Sequence, residues 1–250
     1  MTKDEELFFR HLTDRSELAW NRGIVTFSDF CSLNELNIYH RNRDRFSVRG
    51  ELSGGYVGAE RQMIAFIPDA LSYDWTFPIS ALRILPQNPK FADLLTHRDY
   101  LGSLMNLGVD RKTIGDICVL ENLAYVFCED SMAQYLSENL TRVRHTSVRS
   151  EIVPAGELSY SPKTEEITGS IASIRLDSII SLTYRLSRSA ASGLISEGKV
   201  FLNGALVSSG SRELEEGDLV SVRGYGKFRF EEIGGQSRKG RLFARIAKFV

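Results

Sequence analysis

The feature that most restricts how this chain can fold is a change of hydrophobic period that recurs between Pro78 and Pro154. Ile79-Ser80-Ala81-Leu82-Arg83-Ile84-Leu85 reads as a strand ended by Pro86, because proline cannot donate to a sheet ladder. Tyr100 to Leu107 belongs to a helix that starts near His97 or earlier and stops at Gly108. Ile117-Cys118-Val119-Leu120 and Ala124-Tyr125-Val126-Phe127-Cys128 form a hairpin around Glu121-Asn122. Met132 to Leu140 is a second helix, with Ser131 or Asp130 as its cap, and Val148 to Val153 is a last strand. Few architectures bury the apolar faces of that succession.

Strand–helix–strand–strand–helix–strand is the split βαβ, ferredoxin-like (RRM-like) arrangement. RNA-recognition motifs of that fold stack bases on aromatic residues of their sheet. Here alternation places Tyr125 and Phe127 on one face, where they serve either as such a platform or as core.

The sequence divides into an N-terminal helical and strand segment (1–76), a ferredoxin-like domain (77–155), a Pro/Gly/Ser-bearing linker (156–166) and a C-terminal unit (167–250). The class is α+β. In the first segment Leu7, Phe8, His11, Leu12 and Arg15 recur at helical spacing, as do Phe30, Leu33, Leu36 and Asn37. Thr26 to Asp29 opens the second helix, with Ser28 or Asp29 as cap and Glu35 following. The cluster Arg41, Arg43, Arg45 and Arg49 around His40 reads as a solvated basic loop. Gly54-Gly55-Tyr56-Val57-Gly58-Ala59-Glu60-Arg61 leads into a strand, Gln62 to Pro68. It therefore lacks the helix N-terminus that gives phosphate-binding loops their chemistry and reads as a structural turn.

Charge is unevenly distributed. Residues 171–250 hold 13 Lys+Arg against 8 Asp+Glu, a net +5, while residues 1–170 carry −6. A basic unit on an acidic remainder fits a polyanion partner at one end. The apolar runs are too short to span a membrane, and the acidic Met1-Thr2-Lys3-Asp4-Glu5-Glu6 start is unlike a signal peptide. Cys31, Cys118 and Cys128 read as reduced, buried thiols of a cytoplasmic protein. His11, His40, His97 and His145 have no metal-ligand spacing. No cofactor and no metal are expected.

In the C-terminal unit a first helix runs from Arg175 to Tyr184 with Leu176, Ile179, Ile180 and Leu182 on its apolar face. Ser187 caps a second helix that Gly198 stops. Its N-terminus, with Arg185, Arg188 and Ser189 beside it, is a ready phosphate site. Lys199 follows, then a strand and the hairpin turn Asn203-Gly204. Arg223-Gly224-Tyr225-Gly226-Lys227 supplies charge and close backbone approach. Lys227-Phe228-Arg229-Phe230 alternates charge with aromatics, and the loop 234–241 carries Arg238, Lys239 and Arg241. The expected RNA-binding set is thus Arg175, Arg185, Ser187, Arg188, Ser189, Lys199, Asn203, Arg223, Lys227, Arg229, Arg238, Lys239 and Arg241, with no catalytic residue.

The order Arg175-Leu176-Asp177, Ser187-Arg188-Ser189, Asn203-Gly204 and Gly217-Asp218 resembles the S4 domain, a small RNA-binding module of the αL type. Arg-Leu-Asp also occurs at the catalytic aspartate of pseudouridine synthases. Here Ile174, Ile180 and Leu182 depart from that pattern, so Asp177 reads as structural, holding a backbone amide or orienting Arg175. The whole layout is more specific. Gly-Gly-Tyr-x-Gly-Ala-Glu-Arg is followed by His97-Arg98-Asp99-Tyr100-Leu101-Gly102-Ser103-Leu104-Met105-Asn106-Leu107-Gly108, then Ile114-Gly115-Asp116-Ile117, then the S4-like unit. From about residue 5 to 250 the chain resembles the YlmH family of bacterial RNA-binding proteins. The resemblance implies a non-enzymatic, cytosolic factor on the large ribosomal subunit, linked to rescue of stalled translation through ribosomal RNA and tRNA. An RNA-modifying enzyme with S4 targeting, and a cell-division scaffold, are the alternatives. The oligomeric state is not legible.

Overall fold

The computed structural model describes residues 2–121, 123–155, 163–236 and 240–249. The chain divides into two compact units, Met1–Tyr160 and Ser161–Val250.

The first unit opens with α1 (Lys3–Arg22), whose Thr2 cap and Glu5 form a reciprocal capping box. Strand β1 (Thr26–Phe27) follows, then α2 (Leu33–Arg41), β2 (Arg49–Ser53) and β3 (Met63–Ile67). These strands form a small antiparallel sheet in the order β1-β3-β2. Ser28 and Asp29 do not cap α2, as the sequence had indicated. Ser32 does, because only it lies three residues before Glu35, the spacing a capping box requires. Ser28 instead accepts the Ile64 amide at 2.9 Å. Of the basic cluster, Arg45 lies over the Phe9 ring at 4.5 Å and Arg49 pairs with Glu51 at 3.4 Å. Exposed pairs of this kind contribute little.

Next come β4 (Ile79–Pro86), α3 (His97–Asn106), β5 (Ile114–Val119), β6 (Ala124–Glu129), α4 (Asp130–Asn139), β7 (Arg142–Val143) and β8 (Thr146–Val153). The sheet order β5-β6-β4-β8-β7, antiparallel throughout, is the ferredoxin-like order with one short strand added at the edge. Asp130 lies within the first turn of α4 rather than capping it, and takes the Ser80 hydroxyl at 2.6 Å. One sheet face packs Leu82, Ile84, Ala124 and Val126 against Tyr100 and Leu104 of α3 and Leu136 of α4.

The opposite face is the one on which RNA-recognition motifs stack bases, and here the N-terminal segment covers it. Phe127 is fully buried. It packs with Phe30, Met63, Ile79 and Ala81, and Tyr56 stacks on it at 4.8 Å. Phe127 is therefore core. The glycine-rich turn delivers Tyr56. Gly55 has φ +90°, and a Cβ there would come within 2.6 Å of the Phe127 ring, so glycine alone fits.

The turn cradles an anion, but the anion is the protein's own. Asp116 accepts the Tyr56 hydroxyl at 2.8 Å, the Glu60 amide at 2.7 Å and the Arg61 amide at 3.1 Å. A register shift between Ile114 and Ile117 inserts one extra residue into β5, and such a bulge re-aims a side chain. Arg61 then reaches the carbonyls of Ile114 and Phe30 at 3.0 and 2.7 Å. Arg111 also donates to the Ile114 and Gly115 carbonyls. Burial pushes the Arg111 guanidinium down to about 10, and its bonds to these two carbonyls make it a structural clamp.

The second unit contains β9 (Thr164–Ile171), α5 (Leu176–Tyr184), α6 (Arg188–Ser196), β10 (Val200–Leu202), β11 (Ala205–Leu206), β12 (Leu219–Val222), β13 (Gly226–Gln236) and β14 (Leu242–Phe249). They build a six-stranded antiparallel sheet, β11-β10-β12-β13-β14-β9. Residues 164–166, assigned to the linker by composition, belong to β9. Their exposed polar side chains conceal an edge strand whose partner, β14, lies far along the chain. Leu176, Ile179 and Ile180 of α5 meet Ala191 and Ile195 of α6 over Val220, Phe228, Phe230 and Ile246. Burying each such side chain is worth about 1.5–3 kcal/mol.

Replacing Asp116 with alanine removes the acceptor that three donors share. Asp116→Ala is expected to lower stability by about 2–3 kcal/mol, read as a shift of the urea midpoint with unchanged slope. A shift below 0.5 kcal/mol by that measure would show the loop to be held by other means.

Candidate nucleic-acid interface

α5 ends at Arg185, a non-glycine residue in the left-handed conformation (φ 54°, ψ 43°). That conformation costs about 1–2 kcal/mol for an L-residue. Local bonds hold it: the Arg185 and Leu186 amides both reach the Ser181 carbonyl, and the Ser181 hydroxyl donates to the Leu186 carbonyl at 2.5 Å. The corner delivers Ser187 to the start of α6, where its hydroxyl accepts the Ala190 amide at 3.1 Å and sits 2.9 Å from the Ser189 hydroxyl. The N-terminus of α6 and the exposed Arg185, Arg188 and Ser189 thus share one corner.

Asp177 organises the cations behind it. Its carboxylate takes two hydrogen bonds from Arg175, at 2.7 and 3.2 Å, and one from Arg188 at 3.4 Å; Arg188 also reaches the Ser178 hydroxyl at 3.2 Å. Burial raises the proton affinity of Asp177, but the hydrogen bonds and charges of Arg175 and then Arg188 outweigh it. The carboxyl ends below its ordinary range. At 4% exposure, with two guanidinium groups on it, Asp177 is placed as an anchor that aims cations.

The turn between β12 and β13 lies against this corner. Tyr225, 45% exposed, rests on Tyr184 of α5 at 5.3 Å. The Arg223 guanidinium lies over the Phe201 ring at 4.7 Å, and the Arg223 amide bonds the Lys199 carbonyl at 2.9 Å. Lys199 also pairs with Glu197 at 2.6 Å. The structure therefore gathers Arg175, Arg185, Ser187, Arg188 and Ser189 at the corner, while Lys199 and Arg223 form a neighbouring pair whose turn reaches the corner through Tyr225 on Tyr184. The aromatic rings of Tyr184, Tyr225 and Phe201 were missing from the sequence reading. A tyrosine between two glycines beside an arginine was the available signal.

The other expected residues lie apart from this group or are spent on the fold. Asn203 (φ 48°) forms the hairpin turn, and its amide is used on Asp218 at 2.7 Å and on the Leu219 amide at 2.9 Å. Lys227 and Arg229 alternate with buried Phe228 and Phe230, so they project from the sheet face away from the helices. Arg229 lies 5.9 Å from the Phe249 ring. Arg241 is bound to Ser170 at 2.7 and 3.1 Å. Arg238 and Lys239 lie outside the described residues.

Two family models match the chain. Residues 75–157 match "Putative RNA-binding domain in YlmH", and residues 174–220 match the S4 domain. The chain is 27% identical over 242 residues to "Ribosome-associated protein quality control protein P2" of Bacillus subtilis (strain 168), covering 95% of this chain and 92% of that protein. The chain thus carries the RNA-binding domain named for YlmH together with an S4 domain. A solved structure, "Cell division protein ylmH from Streptococcus pneumoniae", has the same fold at 22% identity and TM-score 0.50, over 62% of this chain and 93% of that one. The S4 match spans α5 to the start of β12 and includes the α5–α6 corner, but stops before Arg223. Among the described residues no helix is long and apolar enough to cross a membrane, and no three His, Cys, Asp or Glu converge as metal ligands.

The lowered proton affinity of Asp177 sets a pH dependence. A carboxylate depressed in the folded state adds stability above its unfolded value, about 3.9, and that stability is lost as pH falls through the lower folded value. Asp177→Asn is expected to destabilise the protein at pH 7 and to flatten the loss of stability between pH 5 and pH 2. Chemical denaturation across that range checks it; parallel wild-type and variant curves would refute it.

Proposed function

We propose that this protein is a non-enzymatic, cytoplasmic RNA-binding factor that recognises structured ribosomal RNA and tRNA. It acts on the large ribosomal subunit in the rescue of stalled translation. The α5–α6 corner carries the reading: a helix N-terminus, two hydroxyls and several guanidinium groups converge beside an exposed tyrosine. Helix N-termini and guanidinium groups are matched to phosphate oxygens, and exposed aromatic rings add stacking worth about 1–3 kcal/mol per base. The C-terminal unit's net +5 supplies the salt-sensitive attraction. The ribosomal setting is carried over from the Bacillus subtilis relative, whose name describes ribosome-associated quality control. Within this reading Arg175, Arg185, Ser187, Arg188, Ser189, Lys199 and Arg223 face RNA. Lys227, Arg229 and Arg241 extend the footprint along the sheet, Arg238 and Lys239 add to its charge, and Asn203 shapes the hairpin. The second unit works as the RNA-binding domain and the ferredoxin-like domain belongs to the first.

Sedimentation with separated ribosomal subunits at 2 salt concentrations, roughly 50 and 200 mM, tests this, since phosphate contacts weaken steeply over that range. Arg185→Gly, which suits the left-handed backbone, is combined with Arg223→Gln. Wild type is expected to co-migrate with large subunits at low salt, and the double variant to lose most of that binding. Equal co-migration of both proteins would remove the corner as the contact surface. Absence of co-migration at either salt would remove the large-subunit reading.

A further inference from the structure

A second cationic site lies in the first unit, far along the chain from the S4 domain. The exposed face of α3 carries Arg98, Gly102 and Asn106 at four-residue spacing. It faces the segment that runs from the end of α4 through β7, and the two enclose an open groove of about 530 Å3. Arg98, Arg142 and Arg144 line this groove, with Asp99 as its one acidic lining residue. Residues 1–170 are net acidic as a whole, so the concentration of guanidinium groups here is local.

Two further observations separate the groove from an accidental cluster. Arg144 sits at φ 52°, a conformation that favours glycine, and its guanidinium is held 3.6 Å from Asp99. Asp99 is itself fixed by the Thr96 amide at 2.8 Å and the Thr96 hydroxyl at 2.7 Å. Asp99 thus orients Arg144 at the rim through a partly exposed pair of modest strength. The floor is bare: a Cβ added at Gly102 would meet nothing within 4 Å. Glycine within a helix costs about 1 kcal/mol relative to alanine. Packing does not require it at this position, and its missing side chain leaves the groove floor open to a ligand backbone. Among the described residues Arg98 and Arg142 have no ion-pair partner.

We propose that this groove binds the phosphate backbone of RNA, as a second contact on the chain that binds RNA through its S4 domain. The inference rests on the RNA-binding reading above. Its chemistry is that of guanidinium groups and a side-chain amide along a trough without an aromatic platform, which suits sugar–phosphate rather than base recognition. The usual stacking face of the ferredoxin-like sheet is closed over Phe127 by Tyr56. RNA therefore meets this domain on its helical side. Two modest contacts on one chain raise each other's effective concentration, so each contributes strongly to overall affinity.

Filter binding of the full chain to deproteinised large-subunit ribosomal RNA, titrated from roughly 50 to 200 mM salt, tests it. Arg98→Gln/Arg142→Gln is expected to weaken binding on the order of tenfold and to reduce the log–log salt slope by about 1.4–1.8, the share of two phosphate contacts. Gly102→Leu fills the groove without removing charge and is expected to weaken binding several-fold. Arg98→Lys/Arg142→Lys is expected to restore most of the slope. Wild-type affinity in both the glutamine pair and Gly102→Leu, with binding lost in Arg185→Gly/Arg223→Gln, would overturn the groove and leave the S4 reading standing. Loss in the groove variants alone would support the groove and overturn the S4 corner. Thermal unfolding of each variant separates lost binding from lost fold.

Discussion

One carboxylate in the glycine-rich turn decides what the first unit can present to a partner. Asp116, re-aimed by a bulge in β5, gathers two backbone amides and a tyrosine hydroxyl from a loop more than fifty residues earlier in the chain. Hydrogen bonds to an ionised acceptor are stronger than neutral ones, so the loop closes firmly over the sheet. Tyr56 comes down on Phe127 as a consequence, and a surface that related folds leave open for bases becomes core.

The second unit uses a carboxylate in a different way. Asp177 is nearly as buried as its apolar neighbours, and its charge is offset by two arginines that remain half in solvent. An unpaired buried carboxylate would be costly, which ties the positions of Arg175 and Arg188 to the fold. The cations are preorganised, so less side-chain entropy is lost when an anion binds. The corner residue Arg185 is fixed similarly, by a left-handed backbone rather than by an ion pair.

Both units display arginines held by local structure at open surfaces: Arg175 and Arg188 by Asp177, Arg144 by Asp99. In the proposed function this arrangement serves adhesion to a polyanion. The three cysteines are buried, and burial pushes each thiol up to about 12, so they stay protonated, apolar parts of the core.

Much of this was legible in residue order. Alternating periods gave the ferredoxin-like succession between Pro78 and Pro154, and Ser187, Gly198 and Asn203-Gly204 marked the C-terminal helix and hairpin ends, because capping and turn chemistry act over a few residues. Local chemistry also misled at Ser28 and Asp29, plausible caps until the spacing from Ser32 to Glu35 and the pairing of Thr26 with Phe66 are considered together. Contacts between distant segments were beyond that reading. The sequence by itself determined the elements, the basic C-terminal unit and the arginines at the α5–α6 corner, since these follow from local propensity and charge. Only the tertiary structure decided that Phe127 is covered, that Asn203 is spent on Asp218, that Tyr225 joins the corner and that Arg98, Arg142 and Arg144 share a groove. Those outcomes depend on which distant side chain arrives first within hydrogen-bonding or van der Waals reach, and chain order does not encode that distance.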